Sequence, residues 1–380
     1  MTSRERVRLA LEHKEADRVA IQDGPWGTTV DRWHKEGLPE KVGPHEFFHY
    51  EFASVGPDLS LRIPAATLEE TDEWIIRRGG DGAVHRNWKG RTSTPELVDF
   101  TIKTRADWDA HKGALKFDES RVNFENIKKA HVDARAKGLF FVFGGGIGYD
   151  HNSGSLLGPI RLLTAIVEEP DWIQEIFMVQ ADLGHAIVEE LFVRGIDFDA
   201  AFYYDDLGYK NGLFFSPRAY REVLRPAHRR YLEPFKRRGL PCILHTCGNV
   251  TELVPDLIES GWTCIQPLEV KAGMDLIGLK KKFGDVLAFM GGIDVRKMAL
   301  DDPGPIEEEI RTKVGFAKQG GGYIYHSDHS VPDNVSFANY QRVIELVHQY
   351  GTHEKGQPRK TKKKDQPRKT RKNAKGKTKD

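Results

Sequence analysis

Residues 241–269 read PCILHTCGNVTELVPDLIESGWTCIQPLE, and this stretch decides the fold class. It begins with a short apolar run at 241–248 and ends with a second apolar run at 262–269. The segment between them, 250–260, has the length and composition of a helix. Two near-continuous apolar strands joined by a helix are typical of a parallel βαβ unit whose sheet is covered by helices.

The same alternation continues on both sides of this unit. The pattern predicts strands at 19–23, 58–63, 139–146, 198–206, 241–248, 262–269, 286–294 and 321–329. It predicts helices at 2–16, 105–137, 157–167, 170–194, 217–238, 250–260, 275–283, 305–319 and 336–350, the first capped by Thr2 or Ser3. Residues 74–88 predict a β-hairpin insertion, with Gly-Gly-Asp-Gly at 79–82 as its turn. Because polar residues recur at the strand ends, which a barrel gathers on one face, we favour a (β/α)₈ TIM barrel over a doubly wound open sheet.

The last 27 residues differ in composition from the rest of the chain. Residues 354–380 contain 13 Lys or Arg, 3 Asp or Glu and no large apolar residue, which gives a charge of +10. Since the whole chain carries +1, residues 1–353 carry −9. We therefore expect one barrel domain over 1–353 and a disordered, Lys/Arg-rich tail over 354–380. A solvated extension is the favoured interpretation of the tail, although such a charge can also contact nucleic acid or an anionic membrane.

Composition also limits the cellular context. No apolar run approaches the roughly 20 residues of a membrane span, and no apolar segment follows the polar N-terminus as in a secretory signal. Three cysteines in a long chain argue against a disulfide framework. The expected location is the cytoplasm. Cys242 and Cys264 have apolar neighbours and are expected to be small buried hydrophobes, whereas Cys247 is not.

Acidic residues, histidines, a cysteine or glycines follow nearly every predicted strand. A barrel would bring them to one mouth, and acids and imidazoles seldom lie at strand ends merely to pack. In chain order they are Asp23, Gly144 to Gly146, Asp205, Asp206, His245, Cys247, Glu269, Asp294, His326, Asp328 and His329.

The sequence His245-Thr246-Cys247-Gly248 is the most specific element. Residues i and i+2 of a strand point to the same side, so His245 and Cys247 can offer nitrogen and sulfur to one Zn²⁺ ion. The alternative is a hydrogen-bonded core histidine beside a buried cysteine, and spacing alone does not choose between them. His329 or His326 could supply a third ligand, and a carboxylate, water or substrate could fill the fourth position.

Two further groups allow more than one interpretation. Asp205 and Asp206 could act as acid and base or hold a positively charged group, or one could cap the following loop; we expect one of each. Gly144 to Gly146 lack the spacing of a dinucleotide fingerprint or a P-loop. Their expected role is close approach of the backbone at the barrel mouth.

Several of these stretches resemble the uroporphyrinogen decarboxylase superfamily. The resemblance is carried by RERVRLALEHKEADRVAI near the N-terminus, CILHTCGNVTELVPDLIESGWTCIQPLE, FGDVLAFMGGID and GGYIYHSDHSVPDNVSFANY, and extends over about residues 1–350. It implies a (β/α)₈ barrel with its site in the mouth, and it makes a homodimer a reasonable expectation. True decarboxylases of the superfamily have an arginine-rich segment after the first strand. Here that place reads QDGPWGTT, with Asp23 and Trp26 where cations would be needed.

The methyltransferase branch, which includes the coenzyme M and corrinoid methyltransferases, has H-x-C-G as zinc ligands and a late cysteine as the third. His245 and Cys247 match that pattern, but His329 stands where the late cysteine is expected. The decarboxylase branch also has a histidine at about this place, so His329 does not choose between the branches.

The resemblance therefore implies a zinc-dependent methyltransferase that moves a methyl group between a small methylated compound or thiol and a corrinoid protein. His245, Cys247 and His329 would hold zinc. Asp205, Asp206 and Glu269 would orient substrate or supply an extra ligand, and together with Asp23 they are the predicted catalytic residues. The substrate site would further include Trp26, Gly144, Gly145, Tyr204, Asp294 and His326. Since no D-x-H-x-x-G motif is present, the corrinoid would be carried by another polypeptide. The alternatives are a decarboxylase-like lyase centred on Asp23 or Asp58, and a non-catalytic protein that binds a corrinoid or tetrapyrrole.

Overall fold

A computed structural model describes residues 1–90 and 94–353, and its centre is a curled sheet of eight parallel strands. In chain order the barrel strands are β1 Ala20–Ile21, β2 Phe52–Val55, β3 Phe140–Gly146, β4 Ala200–Tyr204, β5 Cys242–His245, β6 Cys264–Gln266, β7 Ala288–Met290 and β8 Tyr323–Tyr325. They lie in the order β1-β8-β7-β6-β5-β4-β3-β2. Between β2 and β1, the Glu51 amide donates a hydrogen bond to the Ile21 carbonyl at 3.1 Å. The predicted (β/α)₈ barrel is confirmed.

Helices occupy every connection between successive barrel strands. The α-helices are Ser3–Leu11, Gly27–Glu36, Pro44–Phe47, Arg105–His111, Phe124–Ala136, Gly148–His151, Pro159–Glu168, Pro170–Val193, Pro217–Ala219, Arg225–Lys236, Val254–Ser260, Leu276–Phe283, Val295–Met298, Gly304–Ala317 and Phe337–Gly351. Short π-helical turns at Asn152–Leu156 and Tyr220–Leu224 join neighbouring helices. Among the helices of the described residues, none combines the length and apolar character that a membrane span requires.

The barrel encloses its own apolar core. This core consists of alternate strand residues, from Ala20 on β1 to Ile324 on β8, together with Val7, Ala10 and Leu11 of the first helix. Thr2 begins that helix, because its hydroxyl accepts the Glu5 amide hydrogen at 3.2 Å. The helix thus closes the end of the barrel opposite to the carboxyl ends of the strands. A second, larger apolar layer lies between the strands and the outer helices.

An ion-pair network fastens this closing helix to the barrel. The Arg6 guanidinium is bonded to Asp17 at 2.6 Å and to the buried Glu51 at 2.9 Å. The hydrogen bond from Arg6 lowers the pKa of Asp17 to about 2. Folding and ionisation of Asp17 are therefore linked.

The segment between β2 and β3 differs most from expectation. The hairpin at 74–88 is confirmed, but it forms the centre of a four-stranded antiparallel sheet made of Ala66–Glu70, Trp74–Arg78, Val84–Trp88 and Glu96–Asp99. The strand predicted at 58–63 is wrong, since the second barrel strand ends at Val55. The Asp58 carboxylate accepts the Ser60 amide hydrogen at 2.9 Å, a turn-forming bond that competes with strand pairing.

The continuous helix predicted at 105–137 is also wrong. It is divided into Arg105–His111 and Phe124–Ala136, because Asn123 caps the second helix by accepting the Asn126 amide hydrogen at 3.1 Å. The basic tail predicted at 354–380 lies outside the described residues.

Candidate metal centre at the barrel mouth

The register of three neighbouring strands creates the site. Tyr204 on β4 pairs with His245 on β5, and His245 pairs with Gln266 on β6. The residues two positions earlier on these strands belong to the core inside the barrel, so all three side chains point inward at the mouth. Asp206 and Cys247 lie two residues further along β4 and β5 and point to the same side.

These side chains line a cavity of about 360 Å³ at the carboxyl ends of the strands. Its lining consists of Gln22, Asp23, Gly24, Trp26, Phe202, Tyr204, Asp206, His245, Cys247, Gln266, Pro267, Met290, His326, His329 and Ser330. Such a volume is near the lower end of the range for small-molecule sites. The active sites of barrel enzymes lie on this face.

Three potential metal ligands meet on one wall of the cavity. The ligand atoms of Asp206, His245 and Cys247 all lie within 4.8 Å of one another. The His245 Nε2 atom is 3.5 Å from the Cys247 Sγ atom and 3.5 Å from the Asp206 Oδ1 atom. The Asp206 carboxylate also accepts the Cys247 amide hydrogen at 2.7 Å, which holds β4 and β5 together at this point.

The spacing of these atoms suits zinc. Tetrahedral zinc, at about 2.05 Å from nitrogen and about 2.3 Å from sulfur, places those two atoms roughly 3.6 Å apart, and nitrogen and carboxylate oxygen roughly 3.4 Å apart. The observed separations of 3.5 Å and 3.5 Å are close to both. Three protein ligands leave the fourth position for substrate or water, as in a catalytic zinc site.

The orientation of the His245 imidazole leaves its Nε2 atom available to bind a metal. His245 Nδ1–H donates to the Gln266 Oε1 atom at 2.5 Å, so Nε2 carries the lone pair. The Gln266 side-chain amide in turn donates to His326 Nε2 at 3.1 Å. His326 Nδ1–H donates to the Ser327 carbonyl at 2.7 Å, so both of its nitrogens are already engaged within the protein.

The wall around the three ligands is acidic. Burial raises the pKa of the Cys247 thiol, and the nearby carboxylates of Asp206 and Glu269 raise it further. Burial raises the pKa of Asp150 to about 7, with additional contributions from Asp206 and Asp205. Burial lowers the pKa of His245. Several carboxylates beside a neutral His245 imidazole favour the binding of a cation. A bound cation would offset the repulsion between the carboxylates and stabilise the Cys247 thiolate.

The two adjacent acids of β4 face opposite ways. Asp205 is fully buried outside the barrel, where it accepts a hydrogen bond from His228 Nε2 at 2.8 Å and one from the Asp150 amide at 2.8 Å. A Cβ atom at Gly148 would lie 2.1 Å from its carboxylate. Asp205 therefore positions the loop after β3, while Asp206 lines the cavity.

Other acids at strand ends hold the loops of the mouth in place. Glu269 accepts the Gly248 amide hydrogen at 2.7 Å and pairs with Lys271 at 3.0 Å. Asp294 caps the Val295–Met298 helix and pairs with Arg296 at 2.7 Å. These carboxylates do not line the cavity among the described residues. Asp328, likewise, accepts the amide hydrogens of Val270 and Val295, both at 2.9 Å.

The wall opposite the ligand cluster contains the remaining predicted residues. Asp23, Trp26, His326 and His329 all line the cavity there, and the Trp26 and His329 rings stack with centroids 6.3 Å apart. His329, predicted as the third ligand, is not among the three residues that converge, and Asp206 is the third residue of that cluster. Asp58 lies outside the cavity and pairs with Arg62 at 2.9 Å.

Gly144 and Gly145 line a smaller neighbouring cavity of about 170 Å³, on the other side of Phe202 and Tyr204. A Cβ atom at Gly144 would lie 1.8 Å from the Phe202 carbonyl oxygen, whereas one at Gly145 would meet nothing within 4 Å. Close approach of the backbone, as predicted, applies to Gly144.

Sequence reasoning missed two residues of the site. Gln266 ends β6 immediately before Pro267 and could have been found by the rule for polar strand ends that selected His245. Asp150 lies on the short Gly148–His151 helix, where no periodic signal distinguishes it.

The sequence and the fold are similar to those of known proteins. The sequence model of the uroporphyrinogen decarboxylase (URO-D) family matches residues 153–350, slightly more than half of the chain. No curated protein matches the sequence significantly. Among solved structures, a methyltransferase from Methanosarcina mazei is similar, with a TM-score of 0.65, 14% identity, and coverage of 92% of this chain and 99% of that one. At this identity the similarity concerns the fold alone.

Two other solved structures are more distant. A family 2 AP endonuclease from Brucella melitensis has a TM-score of 0.36 and 10% identity, covering 59% of this chain and 85% of its own. A glycerophosphoryl diester phosphodiesterase from Parabacteroides distasonis has a TM-score of 0.36 and 9% identity, covering 91% of this chain and 92% of its own. Similarity at this level carries no functional argument.

Proposed function

This chain belongs to the uroporphyrinogen decarboxylase family, and from that premise we propose that it is a zinc-dependent methyltransferase. It moves a methyl group between a small methylated compound or thiol and a corrinoid carried by another protein. The observation that carries the proposal is the convergence of Asp206, His245 and Cys247 at the barrel mouth. The solved methyltransferase from Methanosarcina mazei, whose fold covers nearly the whole chain, is consistent with it.

In this proposal the protein's own groups prepare one side of the cavity for a nucleophile. His245, Cys247 and Asp206 would hold the metal, and the hydrogen bond from His245 Nδ1 to Gln266 leaves Nε2 available to bind it. Bound zinc lowers the pKa of a thiol or water at its open position and so supplies a nucleophile at neutral pH. The Tyr204 ring, with its centroid 5.0 Å from that of His245, borders the space beside the metal.

The cavity does not suit the substrate of a true decarboxylase. Uroporphyrinogen carries many carboxylates, and such a ligand needs cationic partners when it leaves water. Within the described parts of the chain, no lysine or arginine lines the cavity, while Asp23 and Asp206 do. A small methylated compound or thiol is small enough for about 360 Å³ and needs no cationic partners in the cavity.

The first test is metal content, measured by inductively coupled plasma mass spectrometry on the purified full chain and three variants. We expect about one zinc per chain in the wild type, and loss of zinc in Cys247→Ser and Asp206→Asn. His329→Ala is the matched control, because His329 lines the same cavity but lies outside the ligand cluster. Zinc lost in His329→Ala and retained in Asp206→Asn would return the third ligand to His329.

The second test is activity. Methylcobalamin and 2-mercaptoethanol are incubated with the zinc-loaded protein, and loss of the methylcobalamin absorbance is followed. We expect turnover in the wild type and none in Cys247→Ser. Decarboxylation of uroporphyrinogen in the presence of a chelator would instead establish the lyase, and tight cobalamin binding without turnover would establish a binding protein.

A further inference from the structure

The cavity beside the ligand cluster has an unbalanced negative charge. Two cations on the loops after β6 and β7 are already paired, Lys271 with Glu269 at 3.0 Å and Arg296 with Asp294 at 2.7 Å. Lys271 lines a separate outer cavity on the other side of Trp26 and His329. Zinc bound by one imidazole, one thiolate and one carboxylate would form a neutral unit, so it would not neutralise Asp23, the other acid that lines the cavity within the described part of the chain.

The hydrogen-bond donors around Asp23 leave its charge unpaired. Its carboxylate accepts hydrogen bonds from the hydroxyls of Ser327 at 2.5 Å, Tyr340 at 2.8 Å and Tyr325 at 3.3 Å. These donors satisfy the oxygens but carry no charge. The nearest ring nitrogen, His326 Nδ1 at 3.5 Å, donates its hydrogen to a backbone carbonyl. Because Asp23 is buried, its field reaches the cavity with little screening.

Contacts run from Asp23 to the metal ligands across the cavity. His326 lies 3.5 Å from Asp23, the Gln266 amide donates to His326 at 3.1 Å, and Gln266 accepts from His245 at 2.5 Å. Asp23, Trp26, Tyr204 and the three potential ligands line one cavity of about 360 Å³, so a small molecule bound at the ligand cluster shares that cavity with Asp23 and the aromatic residues.

The aromatic residues add a surface that suits a cation. The Tyr204 side chain is 41% exposed, although its ring lies against Phe202 with centroids 5.2 Å apart and planes 10° apart. Trp26 lines the opposite wall. The face of an aromatic ring attracts ammonium groups and repels anions. Aromatic faces, a buried acid and a lining that has no lysine or arginine among the described residues all favour a ligand with a positive charge.

We propose that the methyl acceptor of this site is a small aminothiol, a thiol whose other end is a protonated amine, and that thiols with an acidic end are disfavoured. This inference rests on the proposed methyltransferase function. In the reaction the thiol sulfur forms a bond to the methyl carbon of the methylcorrinoid. The carbon–cobalt bond breaks with both electrons left on cobalt, and the thiol proton is released to solvent.

Three thiols of the form HS–CH₂–CH₂–X test the charge preference directly. They are cysteamine with an ammonium, 2-mercaptoethanol with a hydroxyl and 2-mercaptoethanesulfonate with a sulfonate. Two quantities are measured at one pH: the KM for demethylation of methylcobalamin, and the Kd from the thiolate-to-cobalt absorption of the protein loaded with Co²⁺ instead of zinc. We expect KM and Kd to rise from cysteamine to the sulfonate, by about tenfold in all.

Variants identify the source of the preference. Asp23→Asn removes the charge with little change in shape, and we expect it to reduce the preference for cysteamine to within about threefold. Asp58→Asn removes an acid outside the cavity and should leave the preference unchanged. If Asp23→Asn does not fold, Tyr204→Leu removes an exposed aromatic face and should weaken cysteamine more than 2-mercaptoethanol.

The outcomes separate this inference from the function on which it rests. Tightest binding of the sulfonate, with methyl transfer intact, would overturn the aminothiol proposal alone. Methyl transfer to none of the three thiols would count against the proposed function, while binding to the Co²⁺ protein would still report the charge preference. Binding of none of them would overturn the aminothiol proposal.

Discussion

Replacing Gln266 by leucine should weaken zinc binding without removing any zinc ligand. Gln266 accepts the hydrogen of His245 Nδ1 at 2.5 Å, and no other acceptor is recorded for that nitrogen among the described residues. Hydrogen-bond acceptors of metal-ligating histidines contribute about 10- to 100-fold to metal affinity, which corresponds to roughly 1.4–2.8 kcal/mol. We therefore expect the Kd for zinc to increase 10- to 100-fold in Gln266→Leu.

The same substitution should also cost stability. Gln266 is 3% exposed, and leucine leaves the His245 N–H and the lone pair of His326 Nε2 without partners. Each unsatisfied buried group costs about 1–3 kcal/mol. Urea unfolding of the metal-free protein measures this cost separately from the zinc affinity, which is obtained by competition with a chromophoric chelator.

Two control variants make the test specific. Gln266→Glu keeps an acceptor for His245 and should bind zinc within about threefold of the wild type. Thr263→Val removes the hydroxyl that accepts the Cys242 amide hydrogen at 2.8 Å, at the other end of the same strand pair. It should lower stability and leave zinc affinity unchanged. A Gln266→Leu protein with wild-type zinc affinity, alongside a His245→Ala protein that has lost zinc, would refute the orienting role.

Three further outcomes are expected. Asp205→Asn should lower the unfolding free energy by about 3 kcal/mol, because it breaks a buried pair. Asp206→Asn should change stability by less than about 1 kcal/mol yet reduce zinc affinity, and equal losses of stability by urea titration would contradict the opposite orientations of the two acids. Gly144→Ala should cost about 2 kcal/mol in thermal unfolding, because its Cβ meets a backbone carbonyl at 1.8 Å, while Gly145→Ala serves as the unclashed control. The depressed pKa of Asp17, about 2 in the folded protein and 3.8 in the unfolded chain, stabilises the fold above pH 4, and this contribution disappears as the pH falls toward 2. Because the Asp17 side chain is 42% exposed, screening reduces the contribution to about 1 kcal/mol. The stability difference between wild type and Asp17→Asn should shrink over that range, and a constant difference would exclude the linkage.

The sequence predicted most residues of the candidate site because polar and metal-ligating residues that follow apolar strands can be recognised from the sequence alone. His245 and Cys247 belong to one strand, so the two-residue period alone places them together. The relation between strands is different. Asp206 joins the cluster of potential ligands because β4 pairs with β5 with Tyr204 level with His245, and a one-residue shift would have directed Asp205 inward instead. Periodicity within a strand does not determine that register.

The errors in the fold have a related cause. The residues at 58–63 alternate as a strand does, but the Asp58 side chain bonds to the Ser60 amide and forms a turn. The true second strand, Phe52–Val55, is a run of four residues whose partner, β3, lies far along the chain. Local patterns located the strands with long apolar runs and failed where a side chain competes with the sheet for backbone hydrogens.

The presence of Asp206 rather than His329 in the cluster of potential ligands bears on a difficulty that the sequence raised. The methyltransferase branch that the sequence resembles uses two thiolates and an imidazole, a donor set with two negative charges, and His329 in place of the late cysteine would leave only one. With the Asp206 carboxylate as the third ligand, as we propose, the second charge would be restored and bound zinc would again be formally neutral. The donor is harder than a thiolate and transfers less electron density to the metal, which keeps the metal more electrophilic. A thiol bound at the open position would then be deprotonated more readily but be less nucleophilic than one beside two cysteines.

We expect the thiol of cysteamine bound to this protein to ionise at a lower pH than in an Asp206→Cys variant. The pH dependence of the thiolate-to-cobalt absorption of the Co²⁺ proteins measures this, and an apparent pKa that is the same or lower in Asp206→Cys would show that the third ligand does not control the bound thiol.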